Sequence, residues 1–205
     1  MSTLTSPLAD RRATELGVGA RFSLHPHCDD YVEVILSALA AADTSRVTVR
    51  TDDVSTFVRG SEGDVIRYVH EVLAAAGETR WHVVAHLLLS RGCPGEVACE
   101  LPDDALLDRV PVPVLAPTGL TASAHWALYP LDDAGGDHLA HIMAAIGTAG
   151  SAATTSPEHF VTRLDGDLSD VLTAVAAGWL EAARHVRHVV THVTVSMHSP
   201  SAGAR

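Results

Sequence analysis

The sequence predicts an α+β protein built as a tandem duplication of one β-α-β-β-α-β unit. Each unit is expected to be a four-stranded antiparallel sheet with two helices on one face. Three observations predict this. Runs of alternating apolar and polar residues read as strands, and 3.6-residue apolar patterns between them read as helices. WHVVAHLLLS at 81–90 nearly repeats as RHVVTHVTVS at 187–196. Finally, EHFVTRLDGDLSDVLTAV from 158 lies over DDVSTFVRGSEGDVIRYV from 52 without a gap, an offset of 106 positions.

In the first copy, VGARFSLHP alternates, with Val18, Ala20, Phe22 and Leu24 on one face and Arg21, Ser23 and His25 on the other. DDYVEVILSALAAA reads as a helix capped by Asp29 or Asp30, with Val32, Ile35, Leu36 and Leu39 as its buried stripe. RVTVRT is a strand, DD a turn and VSTFVRG a returning strand. SEGD opens a second helix as a capping box, and Gly77 stops it. WHVVAHLLLS closes the unit as a strand rich in Val and Leu. The order is that of the ferredoxin-like unit, whose usual strand order is 4-1-3-2.

The second copy runs through the same order. ASAHWALYP matches GARFSLHP, with Pro130 where Pro26 fell, and DHLAHIMAAIG is its first helix. The common offset lays Gly166 on Gly60, Asp170 on Asp64, Val171 on Val65 and Ser196 on Ser90. The expected organisation is a disordered tail over 1–17, repeats over 18–95 and 122–201, and a Pro- and acid-rich linker over 96–121.

Lys plus Arg total 14 and Asp plus Glu 25, a net charge of −11 that disfavours nucleic acid and anionic membranes. No apolar run reaches the roughly 18–20 residues of a membrane span, and the polar start is unlike a signal peptide. Cys28, Cys93 and Cys99 are too few and too scattered for a disulfide scaffold and fit a reducing cytoplasm.

Both near-repeated stretches carry His-x-x-x-His, which on a helix would suggest a metal site. On a strand those histidines share a face but stand about 13 Å apart, too far to chelate one ion. Neither pair alone is therefore a zinc site. His82, His86 and Ser90 are expected on the sheet face away from the helices, beside Arg21, Ser23, His25, Ser55, Phe57 and Arg59. The matching second-copy face carries His125, Tyr129, His159, Arg163, Asp165, His188, His192 and Ser196. Apolar residues on that face suggest that it is covered, by the other repeat or by a second subunit.

Several segments together resemble the YkoF family of thiamine- and hydroxymethylpyrimidine-binding proteins. They are GARFSLHPHCDDYVEVILSAL, ADTSRVTVRTDDVSTFVRGS, GCPG, WALYPL and LDGDLSDV, and the resemblance covers about residues 18–201. It implies a cytoplasmic, non-enzymatic homodimer of tandem ferredoxin-like repeats, with one thiamine or hydroxymethylpyrimidine site per repeat. It also implies a link to precursor uptake, with a membrane transporter as a further partner, and no cofactor beyond the ligand.

A flat aminopyrimidine has an exocyclic donor and ring acceptors, so it calls for hydroxyls and carboxylates in a mostly apolar slot. The first-copy candidates are Ser23, Thr51, Asp52, Ser55, Arg59, His86 and Ser90. The second-copy candidates are Tyr129, Glu158, His159, Asp165, His192 and Ser196. Asp52 also fits an ordinary hairpin turn. The copies differ: Arg59 is replaced by Asp165, Ser55 by Val161, Ser23 by Ala127 and His25 by Tyr129.

A metal-dependent protein or enzyme using the His-rich face, and a purely structural dimer, are the alternatives. HPHC lacks a duplicate, and CPGEVAC lacks a second cysteine pair. LDGDLSD reads as a turn and helix cap rather than a calcium loop. No phosphate loop or G-x-S-x-G elbow is present.

Overall fold

The computed structural model describes residues 16–92, 110–131 and 136–202. Strand β1 (Gly19–Pro26), helix α1 (Tyr31–Ala41), strands β2 (Thr48–Thr51) and β3 (Thr56–Arg59), helix α2 (Glu62–Glu78) and strand β4 (Val83–Arg91) form the first unit. Strand β5 (Thr121–Leu131), helix α3 (His138–Ala149), strands β6 (Thr154–Glu158) and β7 (Val161–Asp167), helix α4 (Leu168–Ala182) and strand β8 (His188–Met197) form the second. The predicted β-α-β-β-α-β order therefore occurs twice, and each unit has the 4-1-3-2 strand order.

The units join edge to edge. One eight-stranded sheet runs β2-β3-β1-β4-β8-β5-β7-β6. At its seam, β4 and β8 pair antiparallel from Val83↔Met197 to Arg91↔Val189. Leu87 faces Val193, its own equivalent 106 residues on, so a pseudo-two-fold axis passes between them. This corrects one expectation: the second repeat extends the sheet of the first rather than covering its open face. Unpaired β4 and β8 edges find hydrogen-bond partners in each other, and periodicity along one chain carries no signal for that.

Burial alternates strictly along the long strands. Val83, Ala85, Leu87 and Leu89 of β4, and Val189, Thr191, Val193, Val195 and Met197 of β8, are buried under the helices. Helix starts also follow the duplication. Ser61 caps α2, its hydroxyl accepting from Asp64 N and donating to Asp64 Oδ2 at 2.6 Å. Its equivalent, Asp167, caps α4 and accepts from Ser169 N at 2.8 Å. The same carboxylate accepts from Thr118 N at 3.1 Å and Gly119 N at 2.6 Å, which ties the incoming chain to the second unit. Burial works against the Asp167 charge, but the hydrogen bonds from Ser169 and Thr118 outweigh it and hold its pKa well below the usual carboxylate range.

Several local expectations need correction. Helix α1 buries Val34 and Ala38 and leaves Val32 and Leu36 exposed, because the small Ala38 lets that side approach the sheet. Helix α2 runs through Gly77 to Glu78, and the chain reverses at Arg80 with φ 63. Gly77 serves packing instead, since a Cβ there would lie 2.6 Å from Leu120 Cδ1. Strand β3 is shorter than predicted, because Val54 and Ser55 belong to the turn. Leu16, assigned to the tail, is buried in the core, and its carbonyl accepts from Gly92 N at 2.6 Å. Val110, Leu115 and Leu120 of the connecting stretch pack against the core. Cys93, Cys99 and tail residues 1–15 lie outside the described residues.

Candidate functional site

Alternation in eight paired strands leaves one sheet face without helices, and register decides which of its side chains meet. At one end, Asp165 of β7, Ser123 of β5, Ser196 of β8 and Val84 of β4 stand in one row. A cavity of about 600 Å³ opens over this row, within the range of small-molecule sites. Arg163 and Thr194 line it too, and the turn after β8, including His198 and Ser199, forms a wall.

The cavity floor is a tight polar group. Arg163 forks onto Asp165, Nε to Oδ2 at 2.8 Å and Nη2 to Oδ1 at 2.7 Å. Arg163 Nη2 also donates to Ser123 Oγ at 2.9 Å, and Ser123 Oγ donates to Asp165 Oδ1 at 2.6 Å. The carboxylate is thus held in one orientation with its charge compensated. The hydroxyls of Ser196 and Thr194 are oriented from the other repeat. Ser196 Oγ lies 3.1 Å from His82 Nε2, and Thr194 Oγ1 lies 3.1 Å from His86 Nδ1.

The predicted residues therefore do not gather in one place. Asp165 and Ser196 meet in the cavity. His86 and His192 straddle the pseudo-axis with ring centroids 6.3 Å apart, so they form one seam pair rather than one member of each of two separate pockets. Tyr129, Glu158 and His159 sit toward the β6–β7 hairpin, at the opposite end of β5 and β7 from the cavity. In the first repeat, Arg59 and Ser90 flank Gly19 in the row equivalent to Asp165, Ser196 and Ser123. Thr51, Asp52 and Ser55 gather at the β2–β3 hairpin, and Ser23 Oγ lies 3.0 Å from His25 Nε2.

Asp52 behaves as the turn residue that its sequence context suggested. Its Oδ1 accepts from Val54 N and Ser55 N, both at 2.9 Å. Arg21 Nη1 donates to Asp52 Oδ2 at 2.9 Å and to Ser55 Oγ at 2.8 Å. The Arg21 hydrogen bond, then those of Ser55 and Val54, lower the Asp52 pKa to about 2.

Ser123, Arg163, Thr194 and His82 were not among the predicted ligand residues. Alternation does place Arg163 and His82 on this face. Their part in the site depends on register and on the seam between repeats, which alternation alone does not reveal. Among the described residues, no three His, Cys, Asp or Glu side chains come together in a way that would hold a metal ion. His27 instead stacks on His82, ring centroids 4.5 Å apart.

Histidines tie the fold to pH. Burial, then the facing His86 and His27, lowers the His25 pKa; burial and His27 lower that of His82; burial lowers that of His70 in α2. A histidine with a lowered folded pKa is neutral in both states above the unfolded value of about 6.5, and stability there is complete. Below that value the unfolded chain takes up protons first, and stability falls toward the folded pKa. We therefore expect the melting temperature to drop between pH 7.5 and 5.5. His70→Gln, which cannot titrate, is expected to drop less. Equal drops in the two proteins would refute the assignment to His70.

The fold and face define a duplicated ferredoxin-like protein with a polar small-molecule cavity on an open sheet. A model of the YKOF-related Family matches residues 17–96 and 121–202, and this chain belongs to that family. It is also similar to a Bacillus subtilis (strain 168) protein named "Putative HMP/thiamine-binding protein YkoF". The two are 35% identical over 188 residues, covering 89% of this chain and 91% of the relative. Among the described residues, no helix is long and apolar enough to cross a membrane.

Proposed function

We propose that this chain is a non-enzymatic cytoplasmic binding protein for thiamine or its hydroxymethylpyrimidine precursor. Each repeat carries one site on the open sheet face, within units 18–95 and 122–201 joined by 96–121. The protein then stores the precursor or hands it to a membrane transporter during uptake or salvage. The observation that carries this reading is the cavity over Ser123, Arg163, Asp165 and Ser196, whose row recurs in the first repeat as Gly19, Phe57, Arg59 and Ser90. A carboxylate matches the exocyclic amine of an aminopyrimidine, and hydroxyls and a guanidinium match its ring nitrogens. Leu88, Tyr129 and Leu131 on the same face are exposed apolar residues, which supports a homodimer that covers it.

Thermal shift with thiamine, the free pyrimidine and divalent metals tests the reading, since a ligand in excess of its Kd stabilises by RT ln(1 + [L]/Kd). Stabilisation by a metal alone would refute it. Asp165→Asn sharpens the test at the second site. The substitution leaves Arg163 uncompensated beside a permanently cationic thiazolium. Calorimetry is expected to show a larger loss for thiamine than for the neutral pyrimidine. Equal losses, or none, would sink the role given to Asp165.

A further inference from the structure

The end of β8 departs from the alternation that governs the rest of the strand. Ser196 lines the cavity on the open face and Met197 is buried under the helices, so a period of two would return His198 to the open face. His198 instead takes φ 54, in the left-handed region that disfavours a side chain. Its ring reaches the helix layer of the other repeat, where Nε2 lies 2.8 Å from the Gly77 carbonyl oxygen near the end of α2. A carbonyl only accepts, so Nε2 carries the proton and donates. A side chain held on such a backbone marks a position that its surroundings over-determine.

The first repeat makes the same turn without a side chain. The residue 106 positions earlier is Gly92, left-handed at φ 76, and a Cβ there would lie 1.9 Å from the Arg187 carbonyl oxygen. Glycine supplies the turn in one repeat, and the second adds a ring to it. Directly after that ring, Ser199, Ser201 and Ala202 line the cavity over Ser123, Arg163, Asp165 and Ser196. Among the described residues, the polar bonds of 199–202 run within the turn. Ser201 N donates to Ser199 Oγ at 3.3 Å, Ala202 N donates to the Ser199 carbonyl at 3.0 Å, and the two serine hydroxyls lie 2.9 Å apart. The His198 ring is therefore the polar tether between this wall and the helix layer.

We propose that His198 is a positioning residue for the second-repeat cavity, clasping the cavity wall to helix α2 of the first repeat so that the wall stands in place before a ligand arrives. This rests on the pyrimidine-binding reading above and deepens it. A segment that its ligand must order subtracts the ordering cost from the affinity, whereas a segment already held does not. The clasp removes that cost from a turn whose own hydrogen bonds are local. It also makes the second site depend on the first repeat, since Gly77 belongs to α2. The missing side chain of Gly77 permits the approach: a Cβ there would lie 3.1 Å from Met197 Sδ, the residue before the clasp.

Calorimetry and thermal melting of the full chain test this with hydroxymethylpyrimidine and with thiamine. His198→Gly keeps the left-handed turn, as Gly92 does, and removes the clasp. The expected result is an affinity weakened roughly fivefold at one of the two sites, the effect of one hydrogen bond, and seen as faster dissociation. The melting temperature of the unliganded chain is expected to change little, because relief of the backbone strain offsets the lost bond. His198→Gln, whose amide donates at a similar reach, should recover part of the affinity. Affinities that His198→Gly leaves unchanged at both sites, or weakens equally at both, overturn this inference and leave the pyrimidine reading standing. So does a weaker affinity accompanied by a matching loss of unliganded stability, which would make the ring a helix cap alone, and so does an absence of recovery in His198→Gln. Failure of both ligands to bind the unaltered chain overturns the reading and the inference together.

Discussion

Arg91→Met alone is expected to cost the fold about 3–5 kcal/mol, and adding Glu62→Leu is expected to return most of that loss. Arg91 and Glu62 are 2% and 7% exposed, and Arg91 Nε donates to Glu62 Oε1 at 2.9 Å. The pair joins β4 to the first turn of α2. Removing the arginine leaves the Glu62 carboxylate buried without its partner, whereas replacing both with apolar groups of similar size is often neutral or favourable. The second repeat already contains that replacement. The positions 106 residues on are Leu168 and Met197, both fully buried. Urea denaturation of the two single variants and the double variant measures the coupling directly. A single variant costing under about 1 kcal/mol, or a double variant weaker than either single, would contradict the argument.

Gly178→Ala is the second large effect. A Cβ on Gly178 would lie 2.4 Å from Trp126 Cη2, 2.7 Å from Cζ2 and 3.1 Å from the Ala145 carbonyl. Trp126 is 1% exposed, and its Nε1 donates to Thr191 Oγ1 at 2.6 Å, so the ring has no room to retreat. Overpacking of this kind costs about 1–3 kcal/mol, and the upper end is expected where the obstacle is a fixed indole. The equivalent positions in the first repeat are Val72 and Phe22, both buried. The second repeat has exchanged a valine and a phenylalanine for a glycine and a tryptophan across one helix–sheet contact. Trp126→Phe in the Gly178→Ala background should therefore recover part of the loss. No recovery would mean that the clash lies with Ala145 and not with the ring.

These paired exchanges show which parts of the molecule were readable beforehand. Alternation in β1, β4, β5 and β8, the cap at Ser61 and the turn-and-cap reading of LDGDLSD depend on near neighbours in sequence, and these positions match the structure, whereas Asp30 at the start of α1 makes no side-chain cap hydrogen bond. The constant offset then carried each assignment to the other repeat. The stripe on α1 departs from the one hydrophobicity points to, because Val32 and Leu36 are larger than Ala38 and the small residue is the one that fits against the sheet. The site was readable only by face. Which face carries Asp165, Ser196, His86 and His192 follows from a period of two. That Ser196 is oriented by His82, and that His86 meets His192, follows from the pairing of β4 with β8. No local pattern encodes a contact between strands more than a hundred residues apart.

The seam also bears on how the protein behaves at high concentration. A strand at the end of a sheet is a template for unwanted polymerisation. Separate units would each have presented a long last strand, Val83–Arg91 or His188–Met197, as such a template. Joining them consumes both. What the described sheet leaves at its margins is β2, with four residues including Arg50, and β6, with five residues including Pro157. Short length, a charge and a missing amide donor are ordinary defences against strand addition. The duplication thus hides the adhesive edges of both units inside one another and leaves guarded ends outside.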